Sequence, residues 1–132
     1  MLIVAALVAA DQWFKMLATE HLMGKEDIVL VKNFIGLSYA ENTGAAFSMF
    51  SDSTMLLSVV TLVIMLAGVV AYFVMKNHNK IIDTCAVMIF AGGVGNLIDR
   101  FRLSFVVDYI KTLFIDFPVF NFADIAKMVI FL

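Results

Sequence analysis

Residues 55–75 read MLLSVVTLVIMLAGVVAYFVM, a run without a single charged side chain. Crossing the ~30 Å hydrocarbon core of a bilayer takes about 20 helical residues, so this stretch is long enough to span one. The rest of the chain agrees. Of its 132 residues, 63% are hydrophobic and 15% charged, with a mean hydropathy of +1.00. A soluble domain is about 45–50% apolar and about 25% charged. A compact chain of this size buries only about two-thirds of its unfolded surface, so the surplus apolar side chains need lipid as their solvent. The formal net charge is −2 and no Lys/Arg block exceeds two residues in close succession, which excludes the electrostatic footprint of a nucleic-acid binder. Cys85 is the one cysteine. Intrachain disulfides and multi-thiolate metal sites are therefore out, and Cys85 reads as a small buried apolar residue.

Working outward, residues 84–98 form a second uncharged block, extended backward through Ile81 and Ile82 and forward to Asp99-Arg100. The opening run, residues 1–10, is short alone, but a helical reading continues through Trp13, Phe14, Met16, Leu17 and Ala18 with Asp11 and Lys15 embedded. The last run, residues 117–132, carries Asn121, Asp124 and Lys127. Three full spans and one partial span are expected, in a single domain over residues 1–132. A cleaved signal peptide ending at Val8-Ala9-Ala10 is the competing reading of the start, but it lacks a positive n-region, so a retained helix is expected. The connection Lys76-Asn77-His78-Asn79-Lys80 carries two lysines, whereas residues 19–53 hold two lysines against five acids. The positive-inside rule therefore places that short turn, and the N-terminus, in the cytoplasm. Arg100, Arg102 and Lys111 run against this bias. His21 and His78 read as interfacial and solvated, with no ligand role.

The long first loop has structure of its own. Residues 28–31 and 34–39 are β-prone runs separated by Lys32-Asn33, which predicts a small hairpin on the membrane face. Residues 106–117 mix Val106, Val107, Tyr109, Ile110, Leu113, Phe114 and Phe117 with Asp108, Lys111 and Asp116, which reads as an interfacial amphipathic stretch.

Ionisable groups inside a span are costly, about 2.5–3.5 kcal/mol on insertion scales, so each is a functional candidate. Asp11 and Lys15 stand four apart with the acid first, the favourable order for a helical ion pair. Gly92 with Asn96, and Ala91 with Gly95, have the spacing that lets helices approach closely in lipid. Asn96, Asp99 and Arg100 share a helix face, and that polar face needs a polar partner or a water-filled cleft. Asn42-Thr43-Gly44-Ala45-Ala46-Phe47 has the composition of a turn, with small residues that let the main chain approach something closely. Asp108, after Val106-Val107, and Asp124, within Phe120-Asn121-Phe122-Ala123-Asp124, both sit near the edge of an apolar element. Two carboxylates brought together in a low-dielectric site cannot both ionise cheaply, so one keeps a proton while the other stays a base.

In order, Asp11-x-x-x-Lys15, Asn42-x-Gly44-x-Ala46-Phe47, Gly92-Gly93-x-Gly95-Asn96-x-x-Asp99-Arg100, Val106-Val107-Asp108 and Phe120-Asn121-x-Ala123-Asp124 resemble the bacterial lipoprotein signal peptidase family, signal peptidase II. Five motifs in sequence, spread from residue 11 to residue 124 among four hydrophobic blocks, make the set specific. The resemblance implies an all-α membrane protein: a four-helix transmembrane bundle with a small extracytoplasmic β-cradle and an interfacial helix. It implies an aspartyl endopeptidase of the bacterial inner membrane, active at the extracytoplasmic face without metal or cofactor. Its partners are membrane lipids and a diacylglyceryl-modified prolipoprotein, cut before the lipidated cysteine, and it acts as a monomer. Carried over residue by residue, Asp108 and Asp124 resemble the catalytic pair. Asn42, Gly44, Asn96, Arg100 and Asn121 resemble the residues that hold substrate or the pair. Asp11 and Lys15 match a positioning pair, and Asp99 is expected to brace Arg100.

Two features depart from the family pattern. Only eight residues follow Asp124, about 12 Å of helix, so the last helix is expected to be truncated. Lys127 stands where the family has an apolar or small residue, and at i+3 it could pair with Asp124. From the residues alone, two rivals stay open: a Mg²⁺ enzyme acting on a lipid phosphate, and a non-catalytic lipid-binding or transport protein using the polar spans as a cleft.

Overall fold

An uncharged helix in lipid satisfies its own backbone, so the apolar blocks have one stable form available. The computed structural model describes residues 2–44 and 54–128. Its elements are α1 (Leu2–Leu22), β1 (Ile28–Val31), β2 (Ile35–Asn42), α2 (Thr54–Val74), α3 (Lys80–Leu103), β3 (Val106–Thr112) and α4 (Phe122–Met128). Among the described residues, α1, α2 and α3 are long and apolar enough to cross a membrane. The fourth block contributes the seven-residue α4. Among the described residues the protein is therefore mostly helical, with the three expected full spans, the seven residues of α4 from the fourth block and a three-stranded sheet. The expectations that rested on Ala45, Ala46 and Phe47, and on the Lys127 side chain, lie outside what is described.

Helix α3 is the hub. It packs against α1, α2 and α4, and a different glycine makes room for each. A Cβ on Gly93 would sit 2.5 Å from Met65 Sδ of α2, and one on Gly92 would sit 2.7 Å from the Ala123 carbonyl oxygen of α4. A Cβ on Gly95 would collide with the Asp11 carboxylate of α1. The small-residue spacing thus becomes close three-way packing. Solvent preference is inverted relative to a soluble protein. Asp11, Lys15, Ser58, Asn96, Asp99, Asp108 and Asn121 are buried, while Val63, Ile64, Val70 and Phe73 of α2 stand exposed. In water such exposure would forfeit about 25 cal/mol per Å²; against acyl chains it costs nothing.

The sheet has the order β1-β2-β3. The predicted hairpin is present: β1 and β2 pair antiparallel, and Asn33 in the connection takes φ 56°, a left-handed position that asparagine tolerates. The third strand corrects the sequence reading. Residues 106–112 pair antiparallel with β2, and no interfacial helix occurs among the described residues. Val106, Val107, Asp108 and Tyr109 are buried in succession. A strand covered on both faces loses the alternation that marks a half-buried one, and this is why the segment passed for an amphipathic surface stretch. Ala18 and Leu22 of α1 pack with Val107 and Tyr109 of β3 into an apolar cluster beneath the sheet, joined by Leu37 and Tyr39. The register sets Ala40 opposite Asp108 and Asn42 opposite Val106, so the end of β2 runs past the start of β3.

Candidate active site

The turn from α3 into β3 is tied by one carboxylate. Ser104 ends α3 in a left-handed conformation, φ 67°, with its N–H on the Arg100 carbonyl. Asp99 Oδ2 then accepts the Val107 N–H at 3.1 Å, which draws the start of β3 back over the last turns of α3. Asp108 follows directly, 1% exposed. Its two oxygens each accept an amide proton: Oδ2 from Asn42 Nδ2 at 2.9 Å and Oδ1 from Asn121 Nδ2 at 2.6 Å.

Asp124 is placed by the way its helix begins. The Asp124 N–H donates to Asn121 Oδ1 at 3.1 Å, and the Asn121 N–H donates to Asp124 Oδ2 at 3.3 Å. This reciprocal pair is a capping box with asparagine at the cap and the acid three residues on. Phe120 is fixed beside β3 by paired main-chain bonds with Ile110, at 2.7 and 3.0 Å, so the cap cannot drift along the strand. Asn96 of α3 completes the arrangement, donating from Nδ2 to Asp124 Oδ1 at 3.2 Å. Asn121, fully buried, therefore touches both acids. Residues 108 and 124, far apart in sequence, are held through one side chain.

Behind Asn96 lies a second cluster. Lys15 Nζ contacts Asp11 Oδ2 and Asp99 Oδ2, each at 2.9 Å, and Asn96 Oδ1 at 2.8 Å. Gln12 Nε2 donates to Asp99 Oδ1 at 2.9 Å and to the Gly95 carbonyl at 3.1 Å. Gln12 was missed by the sequence reading. The signal was present, because a polar side chain midway along an otherwise apolar helix needs a partner. Asp99 spends its hydrogen bonds on Lys15, Gln12 and Val107 rather than on Arg100, which it reaches through charge alone. Arg100 lies in the fields of Asp124, Asp108 and Asp99, and its buried Nε has no hydrogen-bond partner among the described residues. Gly44 takes φ 96° and donates its N–H to Asn42 Oδ1 at 2.8 Å. It supports Asn42 and touches neither acid.

The three asparagines share one logic. Each has its oxygen occupied by a donor: Asn42 by the Gly44 N–H, Asn121 by the Asp124 N–H, Asn96 by the Lys15 ammonium. Each is thereby left to aim its NH₂ at a carboxylate. Burial pushes the Asp108 carboxyl up from 3.8 to about 6; the nearby Asp124 charge adds to that push, while the Asn42 and Asn121 amides and the Lys15 charge oppose it. A carboxyl poised there, beside a second one, is the arrangement that separates acid and base roles.

Residues 3–131 match the family model described as signal peptidase (SPase) II. The chain belongs to the signal peptidase II family. The lipoprotein signal peptidase of Clostridium tetani is 38% identical over 127 residues, covering 94% of this chain and 81% of the relative. That of Caldanaerobacter subterraneus subsp. tengcongensis is 42% identical over 125 residues, covering 92% and 83%. Among solved structures, a bacterial membrane enzyme determined by the in meso method at 2.3 Å superposes with a TM-score of 0.83 at 30% identity, over 97% of this chain and 79% of that one. Family membership accords with a multi-pass membrane peptidase.

Proposed function

We propose that this protein is a membrane-embedded aspartic endopeptidase that removes the signal peptide from diacylglyceryl-modified prolipoproteins, cutting before the lipidated cysteine. The observation that carries the reading is the bridging of Asp108 and Asp124 by Asn121. Asp108 is the more buried acid, with its carboxyl pushed up to about 6, and it serves as the proton donor. Asp124 serves as the base. A water between them loses a proton to Asp124 as it attacks the scissile carbonyl, while Asp108 donates to the developing oxyanion. Collapse of the tetrahedral intermediate then passes a proton to the leaving amine. General acid–base chemistry of this kind contributes about 10²–10⁴ in rate. The remainder falls to positioning and charge stabilisation, for which Arg100 is well situated, since its guanidinium lies in the field of both acids.

The reading needs no metal, since both Asp108 oxygens already accept amide protons. The site lies at the sheet end of the helices, and with the lysine-bearing 76–80 turn in the cytoplasm it opens to the extracytoplasmic face of the bacterial inner membrane. The protein acts as a monomer, a single domain over residues 1–132, taking its lipidated substrate sideways from the bilayer. The test is incubation with a diacylglyceryl-modified prolipoprotein in detergent, with and without chelator. A mobility shift that persists in chelator and vanishes in Asp108→Asn and Asp124→Asn proteins is expected. Cleavage at the parental rate by either variant ends the proposal, and loss of cleavage in chelator redirects it to metal chemistry.

A further inference from the structure

Lys15 is a costly group to place within a spanning helix, and its ammonium is engaged by the protein's own side chains. It is 3% exposed, and an ammonium has three protons to give. All three are spent, on Asp11, Asp99 and Asn96 Oδ1. The first two contacts balance charge. The third has a different consequence, because an amide group has a direction. With Lys15 against its oxygen, Asn96 presents Nδ2 to Asp124 Oδ1. Rotated by half a turn, Asn96 would set its NH₂ against the Lys15 ammonium and its oxygen against a carboxylate, so both contacts would become repulsive.

We infer that Lys15 is a positioning residue for the reaction: its ammonium locks the Asn96 amide with the NH₂ toward Asp124, and through that amide it fixes the working orientation of the carboxylate pair. The inference rests on the dyad reading above and deepens it. Asn121 Nδ2 also approaches Asn96 Oδ1, but at 3.3 Å and while committed to Asp108 at 2.6 Å, so it is the weaker of the two constraints. Without the lysine the Asn96 oxygen would be held by that contact alone, and the NH₂ by its bond to Asp124. Among the described residues, the charged groups around the pair are Asp11 and Lys15 on α1, Asp99 and Arg100 on α3, Asp108 on β3 and Asp124 on α4. Lys15 is also one of the cations whose field reaches Asp108, so its removal has a signature in pH that mere loosening of the fold lacks.

The experiment compares steady-state cleavage of a lipidated precursor by the parent, Lys15→Met, the charge-balanced Lys15→Met/Asp11→Asn protein, Asn96→Ala, and the charge-balanced protein with Asn96→Ala added. Charge balancing guards against a lone Lys15→Met protein that fails to fold with two unmatched buried acids. In the charge-balanced protein, kcat is expected to fall by about ten- to a hundredfold with KM unchanged, since the ammonium protons are all committed within the protein. The alkaline limb of the pH profile is expected to move upward, because a positive charge that opposes protonation of Asp108 is gone. Adding Asn96→Ala is expected to cost less there than Asn96→Ala costs in the parent, as the stronger constraint on the amide is already gone. Unchanged kcat in the charge-balanced protein, an unmoved pH profile, or losses that multiply when the changes are combined would each overturn the role of Lys15. These outcomes are separate from failure of the dyad reading, which appears instead as a parent that does not cut or an Asp108→Asn protein that does.

Discussion

Gly92 offers a quantitative test of how the site is held. An alanine there would place its Cβ 2.7 Å from the Ala123 carbonyl oxygen and 3.2 Å from Ala123 Cα and Cβ. Carbon–oxygen contacts settle at about 3.3–3.6 Å, so α4 has to retreat by roughly 0.7 Å. The residue displaced is the immediate neighbour of Asp124. A misplacement of about 1 Å at a reacting group can cost 10²-fold in rate, so Gly92→Ala is expected to lower kcat by about ten- to a hundredfold. Stability changes less. Overpacking costs about 1–3 kcal/mol, and exchanging glycine for alanine within a helix returns about 1 kcal/mol. The net loss is therefore about 0–2 kcal/mol, too little to unfold the chain. Gly68 is the control, since a Cβ on it meets nothing within 4 Å, and Gly68→Ala should leave cleavage untouched. The assay pairs the initial rate on a lipidated precursor with thermal melting in the same detergent. A Gly92→Ala protein that cuts at the parental rate would show that the α3–α4 contact does not govern the distance between the acids.

Three further outcomes follow from the geometry. Asn42→Leu removes the 2.9 Å amide donor from Asp108, a bond that favours the ionised form, so the alkaline limb of the pH profile should move to higher pH while maximal rate falls; a limb that stays put would separate Asp108 from the acid role. A carboxyl held above 3.8 in the folded state stabilises the protein fully below 3.8 and loses that effect as pH rises through about 6. An Asp108→Asn protein should accordingly gain in melting temperature relative to the parent as pH is raised across that window, and a constant difference would contradict the upward push. Asn121→Ala removes a helix cap, worth about 1 kcal/mol, and a donor to a buried carboxylate, about 1.5–3 kcal/mol. Denaturation should show a loss of about 2.5–4 kcal/mol with no measurable cleavage, and a loss under 1 kcal/mol would refute the bridging role.

Much of this architecture was legible from residue order alone. Charge-free length marked α2 and most of α3, and Lys32-Asn33 marked the hairpin turn. The cost of burying charge in lipid drew attention to Asp11, Lys15, Asn96, Asp99, Asp108 and Asp124, all of which the structure gathers into one connected network. What escaped depended on pairing across distance. Strand β3 is covered on both faces, so the alternation that would reveal a strand is missing. The hydrogen bonds of Asp99 were expected at Arg100, its neighbour, but went to Lys15 and Gln12 on another helix. The direction of each asparagine amide is decided by whichever donor reaches its oxygen, and for Asn96 that donor is 81 positions away in the chain.

The acid placed by the capping box is also the group that starts its own helix. If the first turn of α4 opens, the bonds between Asn121 and Asp124 that position this carboxylate are lost at the same moment, although α1, α2 and α3 remain in place. Warming should thus silence the enzyme through one short turn before the bundle itself melts, setting the temperature of greatest turnover below that of global denaturation.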